Sequence, residues 1–178
     1  MVDSKSVLRK NVRSRLATLS MDEKVVRSLS LSTEVKRHLS VSGARVVALF
    51  SPLPSEPQIW PLVKELSLFM TVVLPRVEGE IMNFYCYNPD RMVCGALGVM
   101  EPDGGEPVMP YEIDVVVVPG VVFTRDGARM GRGKGYYDKY LSQHDFRGVK
   151  IGVCYAEQIV DVLPIEPHDV RMDVVLYK

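Results

Sequence analysis

No sign of charge predominates in this chain, because 22 Lys and Arg stand against 22 Asp and Glu. With no global field to recruit a polyanion, nucleic-acid binding and anionic-membrane binding are excluded as the main activity, and any anion site must be local. Cysteine is scarce and odd in number. Cys86, Cys94 and Cys154 fit neither a Cys-x-x-Cys redox pair nor a zinc-ligand spacing, so buried thiols are expected. His38, His144 and His168 stand at no metal-ligand spacing and are assigned no role, and no Ser/His/Asp arrangement can be argued. No apolar run approaches the roughly 20 residues of a membrane span, and the charged opening MVDSKSVLRK lacks the apolar stretch of a secretory signal. A cytoplasmic protein is expected. Repeats, linkers and low-complexity tracts are also missing, so the 178 residues are expected to fold as one domain, 1–178, around a single sizeable core.

Two familiar phosphate-binding patterns are missing as well. A P-loop needs four residues between its first glycine and a Gly-Lys-Ser/Thr, and the dinucleotide fingerprint needs its third glycine one place later than it stands here. What the chain has instead runs from Pro119 to Leu141, PGVVFTRDGARMGRGKGYYDKYL, after the apolar run Val115 to Val118. Gly131, Gly133 and Gly135 free the backbone to curl, so that successive N–H groups converge on an anion. Arg132 and Lys134, between the glycines, add positive charge. A short helix from near Tyr136 would aim unpaired N–H groups and its positive dipole end at the same spot. The segment reads as a phosphate site. The alternative is a plain tight turn, against which Tyr136, Tyr137 and Asp138 directly behind the glycines argue.

Helices and strands alternate around this segment. Ser4 is a candidate N-cap for a first helix with Leu8, Val12, Leu16 and Leu19 on one face. Lys5, Arg9 and Arg13 share a neighbouring stripe, which is either a solvated face or a binding one. A capping box, Ser20 to Glu23, opens a second helix with Val26, Leu29, Thr33, Val35 and Leu39 expected inward, and Gly43 ends it. Arg45 to Phe50, Thr71 to Leu74, Ile113 to Val118, Val149 to Cys154 and Val174 to Tyr177 are near-continuous apolar runs, as in strands buried on both faces of a parallel sheet. A helix is expected from about Gln58 with Pro61 in its first turn and Trp60 packed on the core. Pro75-Arg76, a Glu78-Gly79 turn and a strand from Ile81 to Tyr87 suggest a hairpin. The region Arg91 to Gly105 is too Gly-rich to assign. Asp126-Gly127 marks a tight turn that lifts the glycine loop, and a short helix is expected around Gln158 to Val162.

This alternation gives an α/β fold, a single domain whose mainly parallel central sheet is flanked by helices in a Rossmann-like layered arrangement. Ligands of such sheets bind at the carboxyl ends of strands, which makes the loop SPLPSEP after Phe50 a candidate site wall, with Glu56 its only charge.

The run Gly127, Arg129, Gly131, Arg132, Gly133, Gly135, Tyr136, Tyr137, Asp138 resembles the signature of the 5-formyltetrahydrofolate cyclo-ligases, also called methenyltetrahydrofolate synthetases. Lys5-x-x-Leu8-Arg9 matches that family's N-terminal nucleotide-contacting motif, Glu101-Pro102 matches its Glu-Pro element, and family-like features run from Lys5 to Asp173. The resemblance implies an enzyme that uses ATP and Mg²⁺ to convert 5-formyltetrahydrofolate to 5,10-methenyltetrahydrofolate, leaving ADP and phosphate. It implies nucleotide contacts from Lys5, Arg9, Arg129, Met130, Gly131, Arg132, Gly133, Lys134, Gly135, Tyr136 and Tyr137, with Arg132, Lys134 and Tyr136 catalytic. It places Ser51 and Glu56 on the folate, and Mg²⁺ on Asp138 and Asp173.

Those residue types suit those tasks. Phosphoryl transfer is mostly positioning and charge neutralisation, which a loop of amides with several cations supplies. Mg²⁺ asks for one or two carboxylates with waters and phosphate oxygens. A Glu can accept the adjacent N–H donors of a pterin bidentately. Met82, Phe84, Trp60 and Tyr136 are candidate apolar walls. Each aspartate also has a structural reading, Asp138 at a helix N-terminus and Asp173 paired with Arg171. Reduced formyl-folate and ATP are the implied partners, and a monomer is expected. Two other classes could use such a loop: a nucleotide- or folate-binding protein without turnover, and a sugar-phosphate isomerase on a similar scaffold. Lys134, Asp138 and Glu56 together argue against the first.

Overall fold

The computed structural model describes residues 4–95 and 98–178. Its helices are α1 (Ser4–Leu16), α2 (Met21–Ser42), α3 (Trp60–Leu66) and α4 (Tyr136–Leu141). Its strands are β1 (Val46–Ala48), β2 (Thr71–Glu78), β3 (Ile81–Cys86), β4 (Met92–Cys94), β5 (Met100–Pro102), β6 (Val115–Val118), β7 (Val122–Phe123), β8 (Arg129–Met130), β9 (Val149–Cys154) and β10 (Val174–Tyr177).

Six strands form the central sheet in the order β10-β9-β6-β1-β2-β3, and every neighbouring pair is parallel except β2 with β3. The expected mainly parallel α/β sheet is therefore present. Its centre is built from sequence that can go nowhere else: the four valines of β6 are all buried, each worth about 1.5–3 kcal/mol against exposure. Alternate residues serve the two faces. Val47, Leu49, Val72, Leu74, Val115 and Val117 meet Val35 and Leu39 of α2 and Leu62, Val63 and Leu66 of α3. Ala48, Val73, Val116 and Val118 face Tyr140 and Leu141 of α4, together with Phe84 and Phe146. A third cluster puts Val12 and Leu16 of α1 against Val122, Met130 and Tyr155, so α1 lies over the β7–β8 hairpin.

That hairpin turns at Asp126-Gly127, as expected. Gly127 has φ +96°, and a Cβ there would lie 2.3 Å from the Met172 carbonyl oxygen, so both conformation and space demand glycine. The capping box is formed by Ser20 and Glu23, and α2 ends on the left-handed Gly43. Pro61 falls in the first turn of α3. Trp60 is partly buried against the core, its ring 6.5 Å from that of Tyr87. The side chain of Ser4, the expected cap of α1, lies outside the described residues.

Five expectations are corrected. The inward face of α2 carries Ser28, Leu31, Ser32, Val35 and Leu39, while Val26 and Leu29 are exposed. Two serines can face inward because each satisfies its hydroxyl on the carbonyl four residues earlier. β2 runs on through Pro75 to Glu78. Beyond Val73 it has no β1 partner, so the missing N–H of proline interrupts no ladder on that side. The unassigned Gly-rich region contains the antiparallel ribbon β4–β5. In place of a helix over 158–162 there is a single tight turn, Ala156–Gln158, because the Gln158 side chain is pulled inward. Cys154 is buried, but Cys86, at the end of an edge strand, and Cys94, on the small ribbon, are exposed.

Candidate active site

The glycine loop leaves β8 and enters α4 at one end of the molecule. Gly133 (φ +104°) and Gly135 (φ +69°) adopt the left-handed backbone that lets the chain curl into α4, with Gly135 at its N-cap. Gly133, Lys134 and Gly135 line an open pocket of about 400 Å³ with Asp138, Lys139, Ser142 and His168. His168, assigned no role from its spacing, thus lines the pocket beside the glycine loop. The expected helix is present but spans only six residues.

The cations are placed differently. Lys134 lines the pocket. Arg9, from α1, donates from Nε to the Gly131 carbonyl at 2.9 Å and supports the loop from below. Lys5 lies 3.3 Å from both Glu166 and Asp169. Burial opposes its charge, but Asp169 and Glu166 outweigh burial and hold its pKa above the ordinary value. Both α1 residues matched to the nucleotide motif therefore reach the loop and the segment beside it. Glu166, His168 and Asp169 bring ligating atoms within 4.8 Å of one another. Nothing in their spacing singled them out beyond a His-Asp pair just before the last strand.

Arg129 differs from the other cations. Its side chain is 3% exposed, and it donates from Nη2 to Asp138 Oδ2 at 2.8 Å, with Asp138 itself 14% exposed. Its guanidinium carbon lies 5.6 Å from the centre of the Tyr137 ring, and Nη1 reaches the Pro119 carbonyl at 3.4 Å. It is a buried strut under Gly120 and Gly131. Met130 is likewise a core side chain, so its contribution to a ligand would have to come from its backbone.

Asp138 also accepts from the Val170 N–H at 3.1 Å. Each of its oxygens thus carries one hydrogen bond and keeps a lone pair, and the carboxylate borders the pocket beside Lys134. Hard oxygen donors of this kind fit Mg²⁺. Asp173 is half-exposed and is not among the residues that line this pocket; it is turned to Lys150, accepting from its backbone N–H at 2.7 Å and lying 2.9 Å from its ammonium. The partner suggested by sequence, Arg171, pairs with Asp126 instead.

The loop after β1 faces the glycine loop. Glu56 is buried, and its Oε2 accepts from the Leu53 N–H at 2.9 Å, so the carboxylate staples its own loop. Its Oε1 accepts from Arg132, whose Nη2 lies 3.2 Å away and also donates to Ser55 Oγ at 3.0 Å. Ser51 Oγ is buried and makes no hydrogen bond among the described residues. Tyr137 is partly buried, and desolvation first, then the charge of Glu56, pushes its hydroxyl pKa up. Tyr136 donates to the Gly79 carbonyl at 3.2 Å and so ties the glycine loop to the β2–β3 turn. Of the candidate apolar walls, Phe84 is wholly buried, with its ring 4.8 Å from that of Tyr140, and belongs to the core.

A buried polar chain that sequence reasoning missed holds these loops in place. The Tyr155 hydroxyl lies 3.1 Å from Ser28 Oγ and 3.3 Å from the Glu56 carbonyl oxygen, either of which can accept its one proton, and Ser28 Oγ also accepts from the Gln58 N–H at 2.9 Å. Gln158 accepts from the Tyr155 N–H at 2.9 Å and donates to the Gly120 carbonyl at 2.7 Å. The Glu56 loop and the start of the glycine segment are thus fixed to each other through Tyr155 and Gln158.

Known proteins resemble this chain over most of its length. The model of the 5-formyltetrahydrofolate cyclo-ligase family matches residues 1–178. A 5-formyltetrahydrofolate cyclo-ligase of Mycolicibacterium smegmatis is 34% identical over 149 residues, covering 78% of this chain and 75% of the relative. That of Mus musculus is 27% identical over 190 residues, covering 98% and 94%. The solved 5,10-methenyltetrahydrofolate synthetase of Aquifex aeolicus superposes with a TM-score of 0.86 at 36% identity, covering 97% of this chain and 89% of that one. The Mycoplasma pneumoniae synthetase gives 0.79 at 27%, covering 97% of each. The chain belongs to the 5-formyltetrahydrofolate cyclo-ligase family.

Proposed function

We propose that this protein closes 5-formyltetrahydrofolate to 5,10-methenyltetrahydrofolate with ATP and Mg²⁺, releasing ADP and phosphate, and that it acts as a cytoplasmic monomer. The observation that carries the reading is the meeting of Arg132 with Glu56. It sets an anion-binding loop against a buried carboxylate suited to N–H donors, as a reaction between a nucleotide and a pterin requires.

Ring closure needs N10 to attack the N5-formyl carbon and the formyl oxygen to depart. That oxygen is a poor leaving group, and amide-like resonance at N5 weakens the carbon as an electrophile. Phosphorylation removes both obstacles. The formyl oxygen attacks the γ-phosphoryl group in line and ADP departs. N10 then attacks the activated carbon and gives up its proton, and phosphate leaves with the oxygen that began on the folate.

The chain's part is chiefly to align two substrates and neutralise charge. Lys134, Arg132 and the amides of Gly131 to Gly135 receive the phosphates. Lys5 and Arg9 brace the loop from α1, and Arg129 fixes Asp138 beneath it. Glu56 orients the pterin through its N–H edge, with Ser51 nearby, and Tyr136 and Tyr137 close the space between the loops. Asp138 and Asp173 would hold Mg²⁺, which when bound supplies further neutralisation of phosphate charge. Asp173 would have to leave Lys150 to take part.

The test measures ADP release with and without 5-formyltetrahydrofolate. Release that requires the reduced folate, with stoichiometric methenyl product, supports the reading. ADP release indifferent to the folate, or binding without turnover, would replace it with a nucleotidase or a binding protein.

A further inference from the structure

The two groups assigned to different substrates are bonded to each other. Arg132, from the nucleotide loop, uses Nε and Nη2 on Glu56 Oε1 and adds Ser55 with Nη2. Its side chain is 38% exposed and that of Glu56 is 8% exposed, so the guanidinium lies on the solvent side and covers the carboxylate. The other oxygen of Glu56 faces the Leu53 N–H. A pterin edge that is to bond both oxygens of Glu56 must displace Arg132 from Oε1, which already accepts from two of its N–H groups. The edge of Arg132 spent on Glu56 and Ser55 is also one of those it would offer a phosphate, and bidentate binding uses two donors in a fixed fork.

We infer that Arg132 is a shared latch that couples nucleotide binding to folate binding. In the nucleotide-free protein it neutralises Glu56 and blocks the folate subsite. The phosphates, with more charge than one carboxylate, draw it into the glycine loop. Glu56 is then a buried carboxylate without its cation, a costly state that N–H donors from the pterin relieve. By linkage, folate on Glu56 frees Arg132 for the phosphates and tightens nucleotide binding by the same factor. Without the folate the phosphates must compete with Glu56 for Arg132, so that phosphate contact is weaker until the folate is present, which limits hydrolysis of ATP without product. This inference rests on the functional reading above and concerns the regulation of that site.

The experiment titrates 5-formyltetrahydrofolate by calorimetry, with and without a saturating non-hydrolysable ATP analogue and Mg²⁺. In the unaltered protein the analogue should lower the folate Kd by about five-fold or more, within the usual range of coupling. Arg132→Ala, tested at analogue concentrations saturating for the variant, should bind folate equally in both states and more tightly than the parent does without nucleotide. Ser55→Ala keeps every charge and should lose part of the coupling. Glu56→Gln, which releases Arg132, should bind the analogue more tightly in the absence of folate. A folate Kd that the analogue leaves unchanged in the parent, or coupling that survives intact in Arg132→Ala, overturns the latch. No folate binding in either state overturns the functional reading beneath it.

Discussion

Two arginines and a lysine lie in the segment from Arg129 to Lys134, and the structure predicts that their removal has different consequences. Arg129 is buried and paired to a nearly buried Asp138. Substituting alanine strips a desolvated carboxylate of its cation, opens a gap beneath Gly120 and Gly131, and removes the support of the Tyr137 ring. Breaking a buried pair from one side costs about 3–5 kcal/mol. Set against a total stability of roughly 5–15 kcal/mol, that is a large fraction. For a domain of this size it corresponds to a fall in Tm of roughly 6–20 °C. The assay is thermal unfolding of Arg129→Ala beside Lys134→Ala, whose side chain is exposed and whose Tm should stay close to the parent; Arg132→Ala leaves the buried Glu56 without its cation and should fall between the two. A double variant, Arg129→Met with Asp138→Asn, removes both charges and keeps an oxygen for the Val170 N–H, so it should recover much of the loss. If Arg129→Ala melts within about 2 °C of the parent, the buried-strut assignment is wrong.

Arg132→Ala and Lys134→Ala should each raise the KM for ATP, since loss of one charge-assisted phosphate contact costs about 1.5–3 kcal/mol; unchanged ATP kinetics with both combined would refute the phosphate cradle. Tyr155→Phe removes the hydroxyl that holds the Glu56 carbonyl and should raise the KM for the folate more than that for ATP, while costing about 1 kcal/mol of stability. Equal effects on both would reduce Tyr155 to a general core residue. Asp114 accepts from the N–H groups of Val46 and Arg45, and chiefly the Val46 bond, against some burial, holds its pKa below the ordinary 3.8. Because the folded pKa is depressed, this contribution is fully present above about pH 3.8 and disappears as the pH falls through the lower folded value. Asp114→Asn should flatten that part of the acid limb in a stability-versus-pH series.

The central strands were legible because a strand buried on both faces has no choice but continuous apolar sequence, as in β1, β6 and β9. Signals with local physics also carried through: the Ser20 and Glu23 box, Pro61 at a helix start, and the Asp126-Gly127 turn. What failed depended on partners distant in sequence. Ser28 looks like a surface residue until Tyr155 and Gln58 meet it, so the α2 face was misread. The β4–β5 ribbon is too short for a period to emerge. In the candidate site, the glycine loop, Arg132 and Lys134 stood out by residue type and spacing, and Glu56 as the only charge of its loop, while its place on a substrate came from the family resemblance. The Glu56–Arg132 contact spans 76 positions and the Tyr155–Glu56 contact 99, distances over which no pattern in one sequence speaks. The different fate of Arg129 was hidden for the same reason: its type advertises a phosphate contact, and only the fold reveals Asp138 beside it.

The fate of one oxygen atom tests the proposed reaction most directly. With 5-formyltetrahydrofolate carrying a heavy isotope in its formyl oxygen, and exchange with water excluded, one turnover should deliver the label to the released phosphate. Phosphate without label, accompanied by methenyl product and ADP, would contradict attack of the formyl oxygen on the γ-phosphoryl group and with it the alignment that the facing Glu56 and glycine loops are argued to impose.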